Sequence, residues 1–355
     1  MAQLRHDLPH MLANTTLGGE HDDRSTRIFA TVFIFVISFA ASIFPNLSQH
    51  TSFLRVPRLA FFLAKHFGTG VILSTAFTHL LPDGFEKLAS ACGDVKNWAG
   101  FIIMISILLI FHVEYISHAY IDRISPPHHW SKHDSLEPPY RDDPSLSDEE
   151  SEPPNLPNAQ PEGSRVAERR SKLLSIVILQ VGIMLHSLVI GVTLGIASPS
   201  SFRGLISAII FHQVFEGLTL GVRLAALVPP TPSISTSPST PPIRDQRLLP
   251  SIFSFLFALP IPLLIFIGMF LPFSSELSPA PPDSHHPCPP PFEQKIIILQ
   301  GVTCSVSAGL LIYVSCIELL AGDFMSDDEM RRSKVKKQVA ALLSLVLGAV
   351  AMTFV

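Results

Sequence analysis

Eight long apolar segments constrain the fold of this chain more than any other feature of its sequence. Each has about the 20 residues that an α-helix needs to cross the hydrocarbon core of a bilayer. Because lipid offers the backbone no hydrogen-bond partners, such a segment forms a helix, which pairs its own N–H and C=O groups. We therefore predict an all-α polytopic membrane protein with eight transmembrane helices. The segments are 27–47, 59–82, 98–121, 172–197, 202–228, 250–272, 294–320 and 335–355.

The composition agrees with this prediction, and two prolines refine it. Hydrophobic residues make up 47% of the 355 residues and charged residues 15%, whereas soluble domains carry about 25% charged residues. The sixth segment contains Pro260 and Pro262. They predict a break or a kink, because proline removes a backbone hydrogen bond.

The distribution of Lys and Arg predicts the orientation, since basic residues are enriched in cytoplasmic loops. If the N-terminus lies outside, 16 of the 25 Lys and Arg residues fall in or beside inner loops and seven fall in outer segments. We therefore predict that the N-terminus and the C-terminus both lie outside.

Polar segments divide the chain. Residues 125–171 are rich in Pro, Ser, Asp and Glu and nearly free of aromatic residues, a composition that cannot bury a core. We predict a disordered cytoplasmic loop there, between transmembrane helices 1–3 (residues 27–124) and helices 4–8 (residues 172–355). Residues 1–26 are predicted to form an extracytoplasmic tail, so that one membrane domain covers 27–355.

The loops contain a group of histidines and a pair of cysteines, and the sequence allows two interpretations of each. Clustered histidines bind transition metals, so the histidines of the cytoplasmic loop either capture metal or are simply solvated. Cys92 and Cys288 fall in predicted outer loops, where they either form a disulfide or remain two unpaired thiols. The loop histidines are His128, His129 and His133.

Two of the apolar segments carry matching decapeptides, "HSLVIGVTLG" at 186–195 and "HQVFEGLTLG" at 212–221. Each has a histidine at the same offset, and ionisable side chains inside a membrane are costly and tend to be functional. Each also has a G-x-x-x-G spacing, which lets helices approach closely. These glycines are Gly191 and Gly195 in the first decapeptide and Gly217 and Gly221 in the second.

The ionisable residues of the two decapeptides can meet at one point. His212 and Glu216 are four residues apart, so they lie on one face of a helix. His186 lies near the middle of the preceding segment, and the short connection at 198–202 makes the two helices antiparallel neighbours. We therefore predict that one imidazole from the fourth helix meets an imidazole and a carboxylate from the fifth helix near the middle of the bilayer.

Two imidazole nitrogens and one carboxylate oxygen suit Zn²⁺, with room for a water molecule. Fe²⁺ also accepts two histidines and one carboxylate, so the donor set alone does not select the metal. A zinc-dependent hydrolase inside the membrane is a different interpretation, since zinc can activate water. It needs a third histidine and a general base, and Glu216 can be that base only if it is not a ligand. A metal-sensing receptor, with 125–171 as its signalling tail, is a further interpretation.

Other ionisable residues lie toward the ends of the predicted helices. His79 and Asp83 form a second pair four residues apart, at the outer end of the second helix. Glu114, His118 and Glu318 lie toward the cytoplasm. In this order the residues indicate a path for a cation. The alternative is that they are polar contacts between helices.

These motifs closely resemble those of the ZIP (ZRT/IRT-like) family of zinc and iron permeases, in its fungal and plant branch. Besides the two decapeptides, the resemblance rests on "GVILSTAFTHLLPDG" in the second segment and "LIYVSCIELLAGDF" in the seventh. It covers most of 27–355 outside the loops. It implies an eight-helix bundle with a metal site between helices four and five, alternating access by movement of one helix group against another, and often a homodimer.

The resemblance also implies roles for single residues. The two histidines and the glutamate of the decapeptides match the family's primary ligands. Ser187 and Gln213 stand where members with two metals complete a second metal position, usually with Asn and Asp. Ile190 stands where those members have a glutamate. Because isoleucine cannot coordinate a metal, we expect a single, weaker site, with the serine and the glutamine as auxiliary groups.

The function implied by the resemblance is transport of Zn²⁺, or sometimes Fe²⁺ or Mn²⁺, into the cytoplasm, rather than catalysis. We expect the metal ion and the lipid bilayer as partners and no nucleic acid. The metal is expected as the transported substrate, with no cofactor. The plasma membrane is the default location, and an organelle membrane that releases stored zinc to the cytosol fits the same topology.

Overall fold

The computed structural model describes residues 2–51, 56–124, 162–227, 243–270 and 291–354, and within these ranges the regular structure is helical, with no strand. The π-helices are Thr75–Leu80 and Val314–Ser326, and a 3₁₀ turn covers Asp94–Asn97. The α-helices are Ala2–His50, Arg58–Ser74, Leu81–Ser90, Ala99–Ile124, Glu162–Ile196, Pro199–Leu227, Ile243–Ala258, Pro260–Phe270, Pro291–Tyr313, Asp328–Arg331 and Val335–Thr353.

Eight helical stretches of the described residues are long and apolar enough to cross a membrane. They coincide with the eight predicted segments, so the prediction of an all-α protein with eight membrane helices is confirmed. Which end of each stretch faces the cytoplasm stays a prediction. In chain order, and numbered here as spans 1 to 8, they are Arg24–Gln49, Arg58–Ser90, Ala99–Ser117, Arg169–Ile196, Ser201–Leu227, Leu248–Met269, Glu293–Ser326 and Val335–Thr353.

Three of the spans have ends or breaks that bear on the sequence predictions. The helix of span 6 is interrupted at Leu259, directly before Pro260, where the prolines predict a break. The helix of span 1 begins at Ala2 and so includes most of the segment predicted as a tail. The helix of span 4 begins at Glu162, inside the segment predicted as a loop.

Spans 2 and 7 change from α-helix to π-helix along their length. A π-helical stretch alters the direction of the side chains that follow it, and such stretches are frequent at functional sites. The π-helix of span 2 contains His79, and that of span 7 contains Glu318 and Asp323. The sequence pattern gave no sign of these two stretches.

The eight spans form two groups that pack against each other. Spans 1, 4, 5 and 6 pack on one another, and so do spans 2, 3, 7 and 8. The two groups meet mainly where span 4 lies against span 7 and where span 2 lies against span 5. The boundary between the groups therefore runs beside both decapeptides.

The glycines of the decapeptides pack closely against neighbouring helices, although not between spans 4 and 5. A Cβ atom on Gly191 would lie 2.8 Å from Leu264 of span 6. A Cβ atom on Gly221 would overlap the backbone of Ser42 in span 1. These glycines therefore let span 4 pack on span 6 and span 5 pack on span 1, within the group that contains all four spans. The contact between spans 4 and 5 themselves does not depend on them.

Candidate metal centre

His186 of span 4 and His212 and Glu216 of span 5 meet in the interior of the bundle, as the sequence predicts. Their ligating atoms all lie within 4.8 Å of one another. His186 Nε2 lies 3.0 Å from His212 Nε2, and His212 Nε2 lies 3.1 Å from Glu216 Oε1. All three side chains are buried, and Glu216 is 0% exposed. Two nitrogens and one oxygen thus point at a common position away from water.

The polar atoms of this group are incompletely paired. His212 and the Thr75 hydroxyl approach the Glu216 carboxylate. Thr75 Oγ1, however, donates to the Val71 carbonyl oxygen. Neither carboxylate oxygen receives a hydrogen bond of normal geometry, and His186 Nδ1 has no partner either. Buried polar atoms almost always have partners, and a buried carboxylate without one is costly. A divalent cation bound by the three side chains would supply the missing charge, so the residues present fit a metal ion.

A third imidazole lies beside this group. The ring of His79 packs edge-on to the ring of His212, with 5.8 Å between the ring centroids. His79 Nε2 lies 3.1 Å from the carbonyl oxygen of Met352 in span 8. His79, in the π-helix of span 2, thus lies next to the centre. The sequence predicts it further from the centre, at the outer mouth. Asp83, its predicted partner, lies about one turn further along and is half-buried.

The two predicted auxiliary groups are buried close to the centre. Ser187 and Gln213 are each 0% exposed. The side-chain nitrogen of Gln213 lies 3.4 Å from the hydroxyl of Ser38 in span 1, while Gln213 Oε1 and Ser187 Oγ have no hydrogen-bond partner. Ile190 packs against an apolar cluster that includes Ile34 and Ile261. The position next to the centre is therefore apolar on one side.

Two of the predicted inner acids lie together, apart from the centre. Glu318 of span 7 accepts a hydrogen bond from the hydroxyl of Ser175 in span 4. Its carboxyl group also bonds to that of Glu114 in span 3, which contacts the Tyr313 hydroxyl. Two neighbouring carboxyl groups form an acidic pair that attracts a cation. The side chain of His118 lies outside the described residues.

A charged cluster that the sequence pattern does not predict lies where spans 2, 5 and 7 meet. Asp323 Oδ1 lies 2.8 Å from Lys65 Nζ, and Asp323 Oδ2 lies 2.8 Å from Arg223 Nη2. Arg223 Nη2 also donates a hydrogen bond to Thr69 Oγ1 at 2.7 Å. We call these four residues the Asp323 cluster. The sequence does contain a signal for it. Of the 25 Lys and Arg residues, only Lys65 and Arg223 lie inside predicted membrane helices and away from their ends, so that they fall in neither the inner nor the outer segments.

The remaining candidates lie in loops. His128, His129 and His133 fall outside the described residues. Cys92 is disulfide-bonded and Cys288 lies outside the described residues, while Cys304 and Cys316 in span 7 are free.

Comparison with known proteins gives a consistent result. A family model described as "ZIP Zinc transporter" matches residues 24–237. Zinc transporter 3 of Arabidopsis thaliana is 30% identical over 332 residues, which cover 92% of this chain and 82% of the relative. Fe(2+) transport protein 1 of Arabidopsis thaliana is 30% identical over 336 residues, with 91% and 84% covered. Zinc-regulated transporter 2 of Saccharomyces cerevisiae is 26% identical over 427 aligned residues, with 94% of each chain covered.

The family match covers more than half of the chain and includes both decapeptides. It agrees with the eight spans and with the buried group of two histidines and one glutamate. The resemblance predicted from the motifs is confirmed, and this integral membrane protein belongs to the ZIP family of zinc transporters.

Proposed function

We propose that this protein moves Zn²⁺ across its membrane into the cytoplasm, and that the ion binds to His186, His212 and Glu216 on the way. The observation that carries the proposal is the convergence of the three ligating atoms in a buried position between spans 4 and 5. The relatives named as zinc transporters support Zn²⁺ as the cargo.

The donor set suits a transporter better than a structural site. Structural zinc sites close four protein ligands around the ion. A site with three ligands and one anion binds less tightly, and conduction requires binding that is strong enough to capture the ion and weak enough to release it. On this proposal the metal is cargo rather than a resident cofactor. A hydrolase would need a general base besides the ligands, and the ligating group of the described residues contains one carboxylate.

Residues on both sides of the centre complete the proposed path. His79 and Asp83 would receive the ion on the outer side, and the contact between His79 and His212 supports a transfer between them. Glu114, His118 and Glu318 would lead it to the cytoplasm. Ser187 and Gln213 would serve as auxiliary groups beside the centre, and the loop histidines would raise the local metal concentration.

Fe²⁺ is a second candidate cargo, because a relative of equal identity is named as an Fe(2+) transport protein. Two histidines and one carboxylate do not distinguish the two ions. We place the protein in the plasma membrane, as a homodimer, and both assignments are part of the proposal.

Radiolabelled Zn²⁺ uptake into proteoliposomes tests the function. We expect saturable uptake by the natural sequence and its loss when His212→Ala and Glu216→Ala are combined. The matched control is His112→Ala, which removes an exposed histidine of span 3 and is expected to keep normal uptake. Uptake that survives the double substitution would refute the proposed site. Competition by Fe²⁺ and Mn²⁺ in the same assay decides the cargo.

A further inference from the structure

The Asp323 cluster lies on the boundary between the two helix groups. Arg223 belongs to span 5, in the group that contains spans 1, 4, 5 and 6. Asp323, Lys65 and Thr69 belong to spans 7 and 2, in the other group. The Arg223–Asp323 ion pair and the Arg223–Thr69 hydrogen bond therefore cross the boundary, whereas the Lys65–Asp323 ion pair stays within one group.

The metal centre and Arg223 are attached to the same helix. Glu216 and Arg223 are seven residues apart in span 5, so they lie on one face, about 10 Å apart along the helix axis. A helix that moves as a rigid body carries both residues together. Any shift of the metal-binding group along the other group must therefore separate Arg223 from Asp323.

Such a shift is what transport through a buried site requires. The centre is closed to water here, so the ion can enter and leave only if packed helices slide or rotate against each other. We infer that the Arg223–Asp323 ion pair is a lock that holds the two helix groups in the conformation described here and breaks when the centre turns to the other side. Arg223 and Asp323 are then positioning residues that act without touching the metal. This inference rests on the proposed transport function.

Asp323 has two cationic partners, Lys65 and Arg223, and this surplus of cations fits a lock that opens. The side chains of Arg223 and Asp323 are 10% and 9% exposed, and removing one partner from a buried ion pair normally leaves a costly isolated charge. Lys65 is 32% exposed and stays with Asp323 when Arg223 departs. Asp323 therefore keeps a counter-charge in both states. A static contact between the spans would be complete with one cation.

A reporter thiol on the boundary can detect the opening of the lock. Thr219 lies on span 5 between Glu216 and Arg223 and is 2% exposed. It touches span 2, because a Cβ atom on Gly68 would lie 2.7 Å from Thr219 Cγ2. The experiment places Thr219→Cys in the full-length protein with Cys304→Ala and Cys316→Ser. It then measures the rate at which a membrane-impermeant maleimide labels the thiol in proteoliposomes.

Two substitutions in this background separate the lock from simple packing. Arg223→Gln removes the pair that crosses the boundary, and we expect labelling at least about tenfold faster, within the usual range of coupling between two states. Lys65→Met removes the cation that stays with Asp323 when Arg223 departs, so the open state loses its counter-charge and we expect labelling no faster than in the parent. An unchanged rate in Arg223→Gln, or equal acceleration by both substitutions, would overturn the lock.

Zinc titration of the purified variants shows whether they fold. If Arg223→Gln does not bind zinc, Arg223→Lys takes its place. It keeps the charge but loses the paired contacts of Arg223 Nη1 with Asp323 Oδ1 (3.5 Å) and of Nη2 with Oδ2 (2.8 Å). An intermediate labelling rate then supports the lock, and the parental rate refutes it. Zinc uptake by the same vesicles separates the two proposals. Absence of uptake by the natural sequence refutes transport, whereas normal uptake with unchanged labelling refutes the lock alone.

Discussion

The metal centre and the Asp323 cluster each bury one carboxylate in the same bundle, but they surround it differently. Glu216 faces an imidazole at 3.1 Å and otherwise lacks hydrogen bonds of normal geometry. Asp323 is held by an ammonium and a guanidinium group, each at 2.8 Å. Because a buried charge is costly without a partner, the first site is incomplete without a cation and the second is complete. The two carboxylates therefore differ in their surroundings, and this difference is the reason that we propose Glu216 and not Asp323 as a metal ligand.

The largest expected effect breaks the complete site. Asp323→Asn leaves Arg223 and Lys65 without their shared carboxylate, and the loss of one partner from a buried ion pair costs about 3–5 kcal/mol. We expect the free energy of unfolding in detergent to fall by that amount, while zinc affinity at the centre changes little. Asp94→Asn, at an exposed acid of the 3₁₀ turn, is the matched control and is expected to stay within about 0.5 kcal/mol. Equal stability of the two variants would contradict the ionic description.

The next effect is the opposite one, at the incomplete site. Glu216→Gln removes the one carboxylate of the proposed metal site, so zinc affinity should fall at least about 100-fold, since substitutions of residues that merely support metal ligands already cost about 10–100-fold. The metal-free protein should be as stable as the parent or more stable, because a fully buried charge with few hydrogen bonds disappears. Calorimetric titration and thermal unfolding without metal measure the two effects. A clear loss of metal-free stability would show that Glu216 is already compensated.

The sequence predicts the features that depend on one helix or on two consecutive helices. Eight spans follow from apolar length alone, and that signal is strong because lipid permits few other structures. The metal centre follows from the spacing of His212 and Glu216 and from the short connection that places His186 opposite them. Neither conclusion requires knowledge of how deep a distant helix lies in the membrane or how it is rotated.

The features that were missed depend on such distant relations. Arg223 and Asp323 are 100 residues apart in the chain, and their contact is set by how two helices are rotated and how deep each lies. The π-helices of spans 2 and 7 change the directions of the His79 and Asp323 side chains. The pattern of apolar residues does not predict this change. The glycine spacings correctly indicate close packing, but they do not name the partner helix.

A third prediction sharpens the comparison by adding charge to the incomplete site. Ile190→Glu places a second carboxylate one helical turn from His186, at the position where the family resemblance implies a glutamate in members with two metals. Ligand charge tunes metal affinity, so we expect the zinc Kd to fall about tenfold and the maximal rate of uptake to fall because release is slower. Ile190→Gln has a similar size without the charge and should show neither effect. An unchanged Kd in Ile190→Glu would mean that this position does not face the ion.

The smallest expected effect tests the surplus cation of the complete site. Lys65→Met leaves the Arg223–Asp323 pair intact and removes an ammonium group that is already about one-third exposed. We expect a loss of about 0.5 kcal/mol in unfolding free energy, as for ion pairs that water screens. Arg223→Met removes the buried cation from the same carboxylate and should cost several times more. Equal losses would mean that the two cations share Asp323 equally, and the cluster would then be a symmetric contact between the helix groups, with no reserve partner for Asp323.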